Sequence, residues 1–224
     1  MMAILVQEAS DADILRACEM ETAAYGPGNM SVFFPGPFPP TRWTGRATHI
    51  IEMRKNDPTA RLLKAVDEET GEQIAFAKWH IYETPEAVAS APTRPVPAGP
   101  GVNEEACKAF FGGLIQRKKA IMGTKPHLYL HMLHTDPKYQ RRGAASALLS
   151  WGTKRGDELG LPAYLESSSQ AHVLYGRHGF QDVEVLEVNL QQFGGGEKTH
   201  SAPLMVRKPQ GDRADRDCEN SSGI

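Results

Sequence analysis

The chain has 224 residues, 40% of them hydrophobic and 23% charged, which is enough apolar material for one sizeable core. A formal net charge of −2 argues against a general polyanion-binding surface, so nucleic acid is not an expected partner. No stretch approaches the roughly 20 apolar residues of a membrane span, the start MMAILVQEASDAD lacks a basic leader, and Cys18, Cys107 and Cys218 are odd in number and far apart; the expectation is a reduced, cytoplasmic protein without a membrane partner, in which the sequons at Asn29 and Asn220 carry nothing.

In chain order, AILVQEA reads as a first strand. SDADILRACEMETAAYG follows as a helix, with Ser10 and Asp13 in capping-box positions, a stripe of Ile14, Leu15, Cys18 and Thr22, and Gly26 as its stop. Residues 27–40 hold five prolines and three phenylalanines and read as a stiff aromatic loop. A second helix is expected over 42–56. RLLKAVD and QIAFAKWHIYE, joined by EETGE, form an antiparallel hairpin, and TPEAVASAPTRPVPAGPG reads as an irregular surface excursion leading to a helical insert near 103–121. HLYLHML is a strand, and DPKYQRRGAASALLSWG turns into a helix to about Leu159 whose inward face carries Ala145, Leu148, Leu149, Gly152 and Leu159. PAYLESS is a short strand, SQAHVLYGRHG a short helix and QDVEVLEVNL a strand; FGGGEKTHSA is a turn before the last strand, PLMVRK. This order predicts an α/β fold, a mixed central sheet of about seven strands flanked by helices: one domain over 1–209 with an insertion at 84–124, and a disordered tail over 210–224.

The turn at 136–146 carries the first chemical signal. Free N–H groups and the positive end of the dipole at a helix start attract anions, and the small residues Gly143, Ala144 and Ala145 would let a phosphate approach the backbone beside Arg141 and Arg142. QRRGAA lacks the spacing and the lysine of a nucleotide P-loop.

Gln140-Arg141-Arg142-Gly143-Ala144-Ala145 resembles the Q/R-x-x-G-x-G/A acyl-CoA loop of the GNAT superfamily of N-acetyltransferases, with Pro137 and Tyr139 matching its approach. A second block is similar to that family's N-x-x-A-x-x-L-Y-x-x-x-G-F: Ala171, Leu174, Tyr175, Gly179 and Phe180 fall on register, and Ser168 stands where the family often has Asn. The wording ETAAY…FFPGP and AYLESSS looks most like the fungal small-molecule branch. The resemblance implies a GNAT fold, acetyl-CoA as co-substrate and a small-molecule amine as acceptor, attacked directly in a ternary complex. It implies a splay at the end of the fourth strand, where Leu133, His134 and Thr135 offer backbone groups to the pantetheine arm. Gln140 through Ser146 would take the phosphates, with Arg141 and Arg142 flanking them, Ser146 adding a hydroxyl and Ser168 close by. Tyr175 would protonate the departing thiolate.

For the base, His131 is one choice; alternation places it on the face of Tyr129 and Leu133. Glu166 or water are the rivals. His127, His131 and His134 do not suggest a metal site, because strand residues four apart are about 13 Å apart. A protein N-terminus or lysine as acceptor, and a non-catalytic acyl-CoA binder of the same fold, remain alternatives. The sequence leaves the oligomeric state open.

Overall fold

A computed structural model describes residues 3–25, 30–195 and 199–211. The helix stop at Gly26, both sequons, Cys218 and nearly all of the predicted tail lie outside the described residues. The elements are β1 (Ile4–Glu8), α1 (Ile14–Tyr25), α2 (Met30–Phe33), α3 (Arg42–Asn56), β2 (Ala60–Asp67), β3 (Gln73–Tyr82), α4 (Pro85–Ala89), α5 (Glu104–Cys107), α6 (Gly113–Met122), β4 (His127–Thr135), α7 (Ala144–Leu159), β5 (Ala163–Glu166), α8 (His172–Arg177), β6 (Gln181–Asn189) and β7 (Thr199–Arg207). The strands form one seven-stranded mixed sheet in the order β1-β2-β3-β4-β5-β7-β6. Among the described residues, only the β4–β5 pair is parallel.

Most predicted elements appear where periodicity put them, and the departures have local causes. The aromatic loop contains the single turn α2, because Phe33 is fully buried against Phe110 and Phe111 at ring distances of 5.2 and 5.9 Å. The surface excursion begins with a turn of helix, α4, started by Pro85 at its first position and capped by the Thr84 hydroxyl. Thr199 to Ala202, read from the sequence as turn, belong to β7, where pairing with β6 extends to Asn189↔Thr199. In α1 the Asp13 carboxylate accepts from the Ser10 N–H and hydroxyl at 2.7 Å, but the buried stripe is Ile14, Ala17, Cys18 and Met20, and Leu15 is 40% exposed.

One sheet face carries Ala75, Ala77, Trp79 and Ile81 of β3 and Leu128 and Leu130 of β4, packed on Leu148 and Leu149 of α7. Ala144 rather than Ala145 is the first buried residue of α7. The helix comes so close that a Cβ at Gly152 would run into the fully buried Trp79 indole. The other sheet face is covered in two places, by α1 and α3 around Ile14, Ile50 and Phe76, and by the α5–α6 insertion around Phe110, Leu114 and Tyr129. Between these two clusters a cleft lies over the sheet, lined by Lys78, His80 and His131.

Gly152→Ala is therefore expected to lower the unfolding free energy by about 1–3 kcal/mol, the range for overpacking a tight core. Gly176→Ala in α8, where an added Cβ meets nothing within 4 Å, should be neutral or slightly stabilising. Paired urea melts compare the two.

Candidate active site

Strand β4 pairs with β5 only over Leu128–Leu130 against Ala163–Leu165, yet it continues along β3 to Thr135. Beyond Leu130 the edge of β4 that faced β5 is released, and the Tyr25 hydroxyl of α1 donates to the Leu133 carbonyl there at 3.4 Å. A cleft of about 2460 Å³ opens from this parting; its lining runs from Gly143 and Ser146 past Leu133, Ser168 and Tyr175 to His131 and Tyr82. Tyr25, Phe34 and Phe38 of the aromatic segment and Arg94 and Lys118 of the insertion line the same cleft.

The loop before α7 is pinned from below. The Asp136 carboxylate accepts from the Lys138 N–H at 2.9 Å and from Arg16 at 2.5 Å, and the Tyr139 hydroxyl donates to Glu72 at 2.6 Å. Gln140 is extended, Arg141 has φ 63° and Gly143, the N-cap of α7, has φ 101°. Arg141 is the one non-glycine with positive φ among the described residues. A left-handed residue of this kind costs roughly 1–2 kcal/mol and clusters at functional sites. Alternating left- and right-handed residues turn successive N–H groups into one concavity that accepts anions, here at the positive end of a 16-residue helix. A Cβ at Gly143 would meet only Ile4 Cδ1, at 3.7 Å, so space above the loop is open.

The other residues of this block divide. Arg141 and Arg142 are exposed, and the Arg142 guanidinium lies over the Tyr139 ring at 5.3 Å. Ala144 packs into the core, while Ala145 and Ser146 are half-buried. Ser146 Oγ is 2.8 Å from His178 Nε2, which ties α7 to the end of α8. Ser168 closes the turn that leads into α8, its hydroxyl accepting from the Ala171 N–H at 3.3 Å. The His134 side chain is buried against the Ala17 carbonyl at 2.9 Å, and Thr135 is buried beside it in the strand. Tyr175 is 6% exposed and meets Phe180 edge-on at 6.1 Å; burial raises its phenol above the usual value, so the hydroxyl keeps its proton at neutral pH.

Around His131 the structure departs from simple alternation. The β3–β4 register slips between Lys78↔Met132 and Trp79↔Leu130, leaving His131 unpaired as a bulge. His131 stays on the face of Tyr129, with the rings stacked at 5.3 Å, but Leu133 moves to the opposite face against the α7 cluster. The same-face expectation for Leu133 is corrected by that one extra residue.

The bulge also completes a series of close polar contacts, in which His80 Nδ1 faces the Thr59 hydroxyl at 3.3 Å as well as Asp57. His80 Nδ1 lies 3.0 Å from Asp57 Oδ2, and His80 Nε2 lies 3.4 Å from His131 Nδ1. Thr59 donates to Asp57 Oδ1 from its hydroxyl at 2.6 Å and its N–H at 2.9 Å. Burial alone would raise the Asp57 carboxyl, but the hydrogen bonds from His80 and Thr59 hold it below its usual range. An ionised Asp57 fixes the proton of His80 on Nδ1, so His80 Nε2 accepts from His131 Nδ1–H, and His131 Nε2 is left as an acceptor. Burial, then the charges of Arg94 and Lys78, hold His131 well below 6.5, so the ring is neutral. The neighbouring histidines go elsewhere, His127 to the Lys125 carbonyl at 2.7 Å and His134 to Ala17.

Asp57, His80, Lys78, Arg94 and Lys118 were missed in the sequence. The available signal was the alternation of Lys78, His80 and Tyr82 with Ala77, Trp79 and Ile81 in a strand buried throughout. Glu166 is not a solvated carboxylate: it accepts from the Tyr129 hydroxyl at 2.8 Å, lies 3.8 Å from Arg94, and is raised by burial.

Burial pushes His80 down to about 4. Below pH 6.5 the unfolded chain takes up a proton that folded His80 refuses, so stability should fall as pH drops from about 6.5 towards 4. The slope from this residue is on the order of 1 kcal/mol per pH unit. Thermal melts across that window should show a shallower slope for His80→Gln.

Comparison with known proteins agrees with this architecture. The family model described as Acetyltransferase (GNAT) family matches residues 37–180, a span that holds the loop, the bulge and Tyr175. An uncharacterized N-acetyltransferase of Schizosaccharomyces pombe is 25% identical over 100 residues, 45% of this chain, and the match spans only 42% of that relative's length. Two solved structures share the fold: a Drosophila melanogaster polyamine N-acetyltransferase (17% identity, 92% of this chain and 100% of that one, TM-score 0.58) and a Sinorhizobium meliloti phosphinothricin acetyltransferase in complex with AcCoA (16% identity, 94% and 91%, TM-score 0.55). With its parted strands, its left-handed loop at the α7 start and a family match over most of its length, the chain belongs to the GNAT family of acetyltransferases.

Proposed function

We propose that this protein transfers an acetyl group from acetyl-CoA to the primary amine of a small molecule, by direct attack in a ternary complex. The observation that carries the reading is the single cleft joining the anion-ready loop at Gly143 to His131 and Tyr175 through the parting of β4 and β5. A related fold binding AcCoA supports the donor, and a related polyamine acetyltransferase supports a small-molecule amine. In this reading residues 1–209 form one domain, and the 84–124 insertion supplies a wall for the acceptor. Buried, unpaired Cys18 and Cys107 fit a reducing, cytoplasmic setting.

The donor's phosphates sit on the N–H groups from Gln140 to Ser146, beside Arg141 and Arg142. Its extended arm runs along the released edge at Leu133, His134 and Thr135 and past Ser168, as a peptide adds to a sheet edge. The thioester then lies between Tyr175 and His131. The amine nitrogen forms the new C–N bond, the C–S bond breaks, the thiolate takes the Tyr175 proton, and the amine's surplus proton passes to His131 Nε2 directly or through water. A neutral His131 is a weak base, but the cation-rich cleft also lowers the acceptor ammonium. Burial acts in the same direction, as Lys78 shows, its own ammonium being pushed to about 7, chiefly by burial.

Gly143→Val should fold, with a modest cost from its positive φ, and lose at least tenfold in coenzyme A affinity by calorimetry. Unchanged affinity in the folded variant would place the donor elsewhere. Tyr175→Phe should keep coenzyme A affinity and lower kcat by roughly 10-fold or more. His131→Ala should lower kcat with little change in coenzyme A binding, and any acidic limb it contributes should lie well below pH 6.5. Thiol release over amines, amino acids and peptides measures both; turnover of peptides alone would point to a protein acceptor, and coenzyme A binding without turnover to a non-catalytic binder.

A further inference from the structure

The acceptor face of the cleft has an unbalanced set of charges. Its three carboxylates, among the described residues, all have protein partners. Glu21 is held by Arg46 at 2.5 and 2.6 Å, Asp57 by His80 and Thr59, and Glu166 by Tyr129 and Arg94. Arg46 and Arg94 are thereby matched, but Lys78 and Lys118 are not. Lys78 projects from β3 at the position opposite Met132, is 3% exposed, and its ammonium meets only the Met53 thioether, at 2.8 Å. A thioether is a weak acceptor, and although Asp57 favours the charged form from a distance, Lys78 makes no ion pair among the described residues. Lys118 of α6 stands over the Tyr129 ring at 4.2 Å and the Tyr82 ring at 5.2 Å and makes no ion pair among the described residues.

A diamine or polyamine acceptor would need spare carboxylates for its second ammonium, and this face has none. A group with negative charge would find two unmatched ammonium groups beside the His131 bulge. Resting on the acetyltransferase reading above, we infer that the acceptor is an amine that also bears a carboxylate, an amino acid or a similar amino acid-like compound, with the carboxylate seated between Lys78 and Lys118. The aromatic floor of Tyr82, His80 and Tyr129, stacked at 5.7 and 5.8 Å, would contact the rest of the acceptor.

The test uses amino acids paired with their decarboxylated amines: phenylalanine with phenethylamine, lysine with cadaverine, and arginine with agmatine. Thiol release from acetyl-CoA gives kcat/KM for each, and calorimetry gives affinity for each in the presence of saturating coenzyme A. The amino acid of at least one pair should exceed its amine by tenfold or more. Lys78→Met, which removes a buried charge and should fold, is expected to erase that preference through KM of the amino acid while leaving KM of the amine unchanged. Lys118→Gln, on a half-buried helix position, should weaken the same preference. Amines equal to or better than their amino acids in every pair would overturn the inference, as would a preference that survives in both variants. If no compound releases thiol, the acetyltransferase reading fails, and the calorimetric preference and its loss in Lys78→Met still decide the carboxylate site.

Discussion

A strand in the middle of a sheet normally satisfies its N–H and C=O groups on both sides. Here β4 runs nine residues and β5 only four, so β4 outlasts its parallel neighbour after Leu130. Backbone groups released in a protein interior must find other partners. One is the Tyr25 hydroxyl on the Leu133 carbonyl; the remainder of that edge opens on the cleft. The other elements are arranged around this gap. Helix α7 closes the apolar face below it, α1 and α3 pack on one side above, and the insertion packs on the other. Among the described residues no element fills the middle, and the gap remains a cleft.

The two faces of the central strands have consequently diverged. The α7 face is built from Ala, Leu, Ile and Trp at a spacing so tight that only glycine fits at position 152. The cleft face carries Lys78, His80, Tyr129 and His131, groups that would be expensive to bury without partners. Asp57, at the end of α3, supplies the anion that orients the imidazoles, and Thr59 fixes that anion in turn. The bulge at His131 then brings a second imidazole into line and reverses the facing of the residues after it. In the proposed reaction the proton acceptor and the backbone edge for the donor's arm would thus come from adjacent residues of one strand.

The charges of the cleft act together. Burial first, then cations from β3 and the insertion, hold the imidazoles neutral, while burial keeps Tyr175 protonated on another wall of the cleft. A neutral histidine and a protonated tyrosine facing one cleft are what the proposed direct aminolysis would use at neutral pH.

What the sequence determined by itself was whatever depends on neighbours along the chain. The capping pair Ser10–Asp13, the helix of 42–56, the hairpin turn at EETGE, the breaker and small residues before α7, and the Tyr175 block are all local patterns, and local sterics and hydrogen bonding are enough to make them legible. The tertiary structure decided everything that depends on elements distant in sequence. Asp57, His80 and His131 come from three separate segments and meet only because β3 lies between β2 and β4. The facing of Leu133 turns on a bulge, which depends on the register with β3 and has no signature in HLYLHML alone. Glu166 reads as a strand-end carboxylate until Tyr129 and Arg94 are brought against it. Periodicity assigns each residue a direction along its own element, whereas partnership across 20 to 120 positions is set by which faces the packed core brings together.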